Sequence, residues 1–204
     1  MSQSAFAITE FTEVEAMLSA VRFGSLVTHG PEGLSVTHMP FVYDAGTRTL
    51  RGHVARANAQ PGRDGGGEAL TTFVGPNAYV SPNHYPSKQQ HGRVVPTWNY
   101  ESVDAFGSIR WIEDAGWLHA NLTALTDRFE AGQWKPWAVS DAPADYVERL
   151  VTAIVGVELS ITRVEARRKL SQNREEPDRL GVLAGLSAGD PGDKAVADLM
   201  REQN

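Results

Sequence analysis

The 204-residue chain has no cysteine, which excludes a disulfide framework, a thiolate nucleophile and any thiolate ligand to a metal or haem iron. It also lacks a surplus of positive charge. Nineteen Lys and Arg stand against 25 Asp and Glu, a formal net charge of -6. A surface built to attract phosphate along its whole length needs the opposite balance, so DNA is not an expected partner. The one basic cluster is Arg163, Arg167, Arg168 and Lys169. No apolar run reaches the roughly eighteen residues of a membrane-spanning helix, and MSQSAFAITEF has no basic region leading into an apolar one. The reading is a cytoplasmic, soluble protein. Motifs are missing too. There is no H-E-x-x-H pair for zinc, no G-x-G-x-x-G between strand and helix, no phosphate loop with Lys-Ser/Thr, and no G-x-S-x-G elbow.

What remains is a globular composition, 41% hydrophobic and 22% charged. Thr12 and Glu15 have capping-box spacing ahead of Val14, Met17, Leu18 and Val21, which predicts a helix to about Arg22. Three β-rich runs follow, Phe23 to Thr28, Leu34 to Tyr43 and Thr49 to Ala55, separated by glycine turns. The glycine-rich stretch from Gln60 to Glu68 predicts a mobile loop. Further strands are expected at Ala69 to Val74, Ala78 to Ser81, Val94 to Tyr100 and Val103 to Ile112, enough to close a small barrel. Asp114 and Asp141 are placed to cap two helices, and VGVELSITRVEA returns to strand with a change of phase near Arg163. The expected organisation is one domain over 1–186 and a tail, 187–204, whose glycines suggest peripheral packing or disorder.

The richest segment chemically is YVSPNHYPSKQQHGRVVPTWNYESVDAFG, from Tyr79 to Gly107. Core-building does not require so many polar-tipped aromatics, and Pro82, Pro86 and Pro96 hold the chain at three points. A preorganised loop of this kind suits a ligand. Ser87, Lys88, Thr97, Trp98 and Asn99 are the candidates there; Trp98 can equally be a core or interface aromatic. Of six histidines, His29 reads as a turn residue and His119 as a helix-surface residue. His38 and His53 interrupt β-runs and can point into a pocket, or else bond a backbone carbonyl in the core. Gly52 before His53 permits close approach, and Arg56 and Asn58 follow on the same segment. Arg56 can hold a phosphate bidentately or be an ordinary exposed arginine.

The segments GSLVTHGPEGL, HMPFV, GHVARAN, YVSPNHYPSK, HGRVVPTWNY, SDAPADYVERLVTAIVGVEL and KLSQNR, in that order, resemble the PaiB family of FMN-binding split-barrel proteins, also called negative transcriptional regulators. The resemblance implies an α+β, mainly β fold: a split barrel of the pyridoxamine-phosphate-oxidase kind with peripheral helices. It implies a homodimer with FMN in grooves between subunits. His38 and the segment His53, Arg56, Asn58 would line one side, and Ser87, Lys88, Thr97, Trp98 and Asn99 the other. The function implied is flavin-dependent oxidoreduction or regulation. The family also contains haem-dependent piperazate synthases, which close an N–N bond in an N-hydroxylated ornithine; haem b would here take His53 as its metal ligand. A DNA-binding negative regulator is a further alternative, carried by the family label alone. One departure stands out, because many relatives have His where this chain has Asp104.

Overall fold

The structure, a computed structural model, describes residues 3–203. Its strands are β1 (Ala7–Ile8), β2 (Phe23–Gly30), β3 (Gly33–Pro40), β4 (Val42–Asp44), β5 (Thr49–Ala55), β6 (Glu68–Val80), β7 (Thr97–Ile112) and β8 (Ile154–Lys169). The helices are α1 (Phe11–Ala20), α2 (Gln60–Arg63), α3 (Ser87–His91), α4 (Ala115–Glu130), α5 (Ala144–Thr152), α6 (Glu176–Ser187) and α7 (Pro191–Glu202). The chain divides into two compact units, Phe11–Phe73 with Asp104–Val164, and Met1–Glu10 with Val74–Val103 and Glu165–Asn204.

In the larger unit the strands follow the order β3-β2-β6-β7-β8-β5-β4. The β2–β3, β2–β6, β4–β5 and β5–β8 ladders are antiparallel. This is the mainly β, α+β split barrel that the sequence predicts. The end strands are not paired to each other by a ladder, and the sheet curls by side-chain packing. Gly52 of β5 is the point of closest approach: a Cβ there would lie 2.4 Å from the Met39 Cε and 2.7 Å from the Pro40 carbonyl of β3. Inside the curl Leu26, Phe41, Leu50, Val157 and Leu159 are fully buried, each contributing roughly 1.5–3 kcal/mol by removal from water. Phe41 meets Phe73 edge-on, with centroids 5.5 Å apart.

Several local expectations need correction. Helix α1 begins at Phe11, so Thr12 lies within it rather than at its cap. The start of the supposed mobile loop is α2, pinned by buried Gln60, whose Nε2 reaches the Leu26 carbonyl, Thr28 Oγ1 and the Ser35 carbonyl at 3.1–3.2 Å. Strand β6 runs unbroken through Gly75 and Pro76, and β7 through Glu101 and Ser102. Asp114 does cap α4, accepting from the Trp117 amide at 2.7 Å. Asp141 instead accepts from the Ala138 amide at 3.0 Å within a short 3-10 turn, and α5 starts after Pro143.

The smaller unit is built on α6 and α7. Buried Tyr85, Leu170, Val182, Leu186, Val196, Ala197 and Met200 form its core. Gly181 and Gly185 lie one turn apart on α6 because His84 packs there: a Cβ at Gly181 would sit 2.1 Å from the His84 carbonyl, and one at Gly185 would sit 2.5 Å from its ring. The tail is therefore ordered. Asp190 and Asp193 cap α7 reciprocally, with Pro191 in its first turn. A chain ending at Leu186 should lose roughly 3 kcal/mol or more with Val196 and Met200; a thermal melt within a degree or two of the full chain would contradict this packing.

Candidate functional site

The outer face of the larger unit's sheet carries an unusual combination. On β2 and β3 the outward residues include Phe23, Leu34 and Val36, exposed at 64, 72 and 55%. Apolar area of that kind is not what a strand left to water presents. Across it runs one polar row. His38 Nδ1 and Ser25 Oγ are 2.8 Å apart; Ser25 lies directly opposite Thr72 in the β2–β6 ladder; and Thr72 Oγ1 donates to Asp104 Oδ1 at 2.6 Å. Four strands thus place imidazole, two hydroxyls and a carboxylate in line. Asp104, read from sequence as a departure, is the acidic end of this row. Two residues along β7, Phe106 carries the Arg163 guanidinium 3.6 Å above its ring centroid.

Asn58 belongs elsewhere. Its Nδ2 donates to Thr37 Oγ1 at 2.9 Å and its Oδ1 accepts from the Gln60 amide at 2.8 Å. Thr37 is half-buried between the exposed Val36 and His38, so Asn58 and His38 occupy opposite faces of β3. Arg56 fastens the end of β5 to the α5–β8 junction. Its Nε and Nη2 donate to the Thr152 and Ile154 carbonyls at 2.8 and 3.2 Å, and Nη1 pairs with Glu113 at 3.1 Å.

His53, opposite Gly156 in the β5–β8 ladder, lines a cavity of about 290 Å³ with Leu122, Trp137, Tyr146, Leu150 and Ile154. Gly156 matters here, since a Cβ would lie 2.3 Å from the Trp117 ring. The His53 Nδ1 is buried and has no hydrogen-bond partner. Burial holds its pKa below the ordinary 6.5, because desolvation penalises the imidazolium. Sequence reasoning found His53 but missed the walls: Trp137 and Tyr146 lie far along the chain, and only their surplus of exposed apolar area marks them.

The candidates of the smaller unit are mostly engaged. Asn99 is fully buried, with Nδ2 donating to Ser171 Oγ at 3.0 Å. Ser87 donates through both its amide and its hydroxyl to Asp178, at 3.0 and 2.7 Å. Thr97 Oγ1 accepts from Lys169 at 2.6 Å. Lys88 and Trp98 remain solvent-facing; Lys88 donates to Asn83, and the Trp98 indole donates to Asn77 at 3.2 Å beside the Tyr79 ring. Among the described residues no three His, Asp or Glu gather as a metal site, and no helix is long and apolar enough to cross a membrane.

The lowered His53 pKa has a signed consequence. The unfolded chain takes up a proton near pH 6.5 that the native chain resists, so this group's contribution to stability is intact above that pH and falls as pH drops below it. Chemical denaturation at pH 7.5 and 5.5 should show a larger acid loss for the native protein than for His53→Phe. Equal losses would mean that His53 titrates as it does in the unfolded chain.

Comparison with known proteins gives the chain its family. Residues 1–163 match the family described as "Putative FMN-binding domain". An uncharacterised protein of Emericella nidulans is 34% identical over 82% of this chain and 81% of its own. Protease synthase and sporulation protein PAI 2 of Bacillus subtilis is 28% identical over 97% and 95%. Among solved structures, the flavocytochrome Anf3 of Azotobacter vinelandii superposes with a TM-score of 0.61 at 16% identity, over 96% of this chain and 77% of that one. An FAD and haem binding protein of Mycobacterium smegmatis gives 0.58 at 14%, over 90% and 80%; both likenesses are of fold. The chain belongs to the FMN-binding split-barrel family that includes PAI 2, the PaiB family.

Proposed function

We propose that this protein binds FMN against the outer face of its larger unit and works as a homodimer that covers that face. The observation that carries the reading is the His38–Ser25–Thr72–Asp104 row set in exposed apolar surface. The donor set fits the cofactor. A flavin ring is planar and apolar on its faces and hydrogen-bonds along its edges, so it suits a polar line flanked by Phe23 and Val36. Its phosphate requires a cation; Arg163 stands on this face above Phe106, and Arg56, the sequence candidate, is a second exposed guanidinium. When bound, FMN supplies one- or two-electron redox chemistry. The chain's part is to orient the ring, exclude water through the apolar neighbours, and present the His38 imidazole and its hydroxyl partner at the ring's edge.

The homodimer follows from the same face, since pairing two copies removes Phe23, Leu34 and Val36 from water. Lys88 and Trp98, solvent-facing in the smaller unit, stay candidates for cofactor contact through a second copy of the chain. Ser87, Thr97 and Asn99 are better read as structural. Use of the flavin in oxidoreduction is the reading preferred over DNA binding, because the net charge of -6 opposes phosphate-backbone attraction.

Haem b is set aside on an observation at His53. The haem in the name of the Mycobacterium smegmatis fold neighbour suggests it, but the cavity that His53 lines is close to the lower limit for a ligand pocket and contains no Lys or Arg to pair with two propionates.

The decisive experiment is flavin absorbance of protein purified without added cofactor and after FMN titration, expected to reach one FMN per chain. Arg163→Ala should weaken FMN by about ten-fold or more. A loss confined to Arg56→Ala would move the phosphate to the end of β5. Val36→Glu should convert the dimer to monomer by light scattering, with FMN released; a dimer that keeps FMN would refute the shared face.

A further inference from the structure

The cavity beside His53 has no part in the FMN reading, and its chemistry is specific. Apart from His53 and Thr126 its walls are aliphatic and aromatic, and no Asp, Glu, Lys or Arg lines it. A charged ligand would lose its hydration there without compensation. The His53 Nδ1, buried and without a hydrogen-bond partner, belongs to an imidazole kept neutral by burial. A neutral imidazole with Nδ1 unprotonated is a hydrogen-bond acceptor. At the rim Trp137, Tyr146 and Leu150, large apolar side chains, are left exposed at 46, 48 and 47%. About 290 Å³ is the scale of one small ring system, short of an extended cofactor.

We infer that this cavity is a second ligand site, for a small neutral aromatic molecule with a single N–H or O–H donor, of the indole or phenol class. The ring lies among Leu122, Trp137, Tyr146 and Leu150, and its donor meets the His53 imidazole. Gly156 contributes by keeping the position opposite His53 free of a side chain, so that Trp117 closes that side. Such a site lies on the helix-covered side of β5, where an occupant would brace α4 and α5 against the strand. The inference rests on this cavity alone and stands apart from the placing of FMN.

The test uses the full chain, saturated with FMN, titrated calorimetrically with indole and with benzothiophene, which has the same shape and no N–H. Indole should bind with saturating heat and about five-fold tighter than benzothiophene. In His53→Phe the two should bind alike, and in Ala142→Phe, which narrows the cavity, neither should bind. FMN occupancy, read by absorbance on the same samples, should stay unchanged in Ala142→Phe; it reports folding and judges the flavin reading separately. Should Ala142→Phe fail to fold, the His53→Phe comparison decides alone. No saturable indole binding at millimolar concentration would overturn the inference, as would a preference for indole undiminished in His53→Phe. So would a Soret band on haem titration that disappears in His53→Phe, which would return the pocket to haem.

Discussion

Much of the larger unit depends on one residue that has no side chain. At Gly52 the β5 backbone is approached from one side by Met39 and Pro40 of β3, and its carbonyl accepts from Asn121 Nδ2 of α4 at 3.2 Å. Curling the sheet and docking its covering helix are therefore fixed at a single peptide. The alternation of a strand then does the rest. Leu50 and Val54 turn into the curl, while Arg51 and His53 turn toward the helices. Arg51 meets Glu158, which lies opposite it on β8 and also takes Arg110 at 2.7 Å. Two guanidiniums on one buried carboxylate repay its desolvation in a way that a single partner would not.

Two regions of the sheet's outer face thus carry two kinds of chemistry. Over β3, β2, β6 and β7 it is apolar with a polar line through it. Under the helices at β5 it is mostly apolar and carries the buried His53 Nδ1, which has no partner. Two bonded pairs side by side, His38 with Ser25 and Thr72 with Asp104, can exchange partners with an edge that offers both donors and acceptors. An orphaned acceptor in an apolar wall asks only for one donor.

The strands were legible where apolar alternation met a glycine turn, as at Phe23–Gly30 and Thr49–Ala55. They were cut short where Gly75 and Pro76 looked like punctuation, because a long strand tolerates a weak residue when its ladder continues on either side. For the tail, packing and disorder were both open from the glycines alone. Packing is what the structure shows, with Pro191 in the first turn of α7, where its missing amide costs nothing. Among site residues, sequence identified donors but could not say who already held them. Asn99 was legible as an amide near aromatic residues. Ser171, its partner, stands seventy-two positions away, and only folding brings them together. The polar row escaped notice because its four members come from four strands and show no spacing along the chain.

The glycine pair in α6 has one more consequence. Because His84 occupies the space that side chains at Gly181 and Gly185 would need, the proline-rich turn cannot lift away without leaving a trough along the helix. Ser87 is tied to Asp178 at the start of that same helix through two bonds. The segment that looks most like an independent surface loop is thus locked to the C-terminal helices and opens only with them. Ordering this turn against α6 and α7 means that its shape is set only once those helices have formed, so during synthesis the turn waits for chain made about a hundred residues after it.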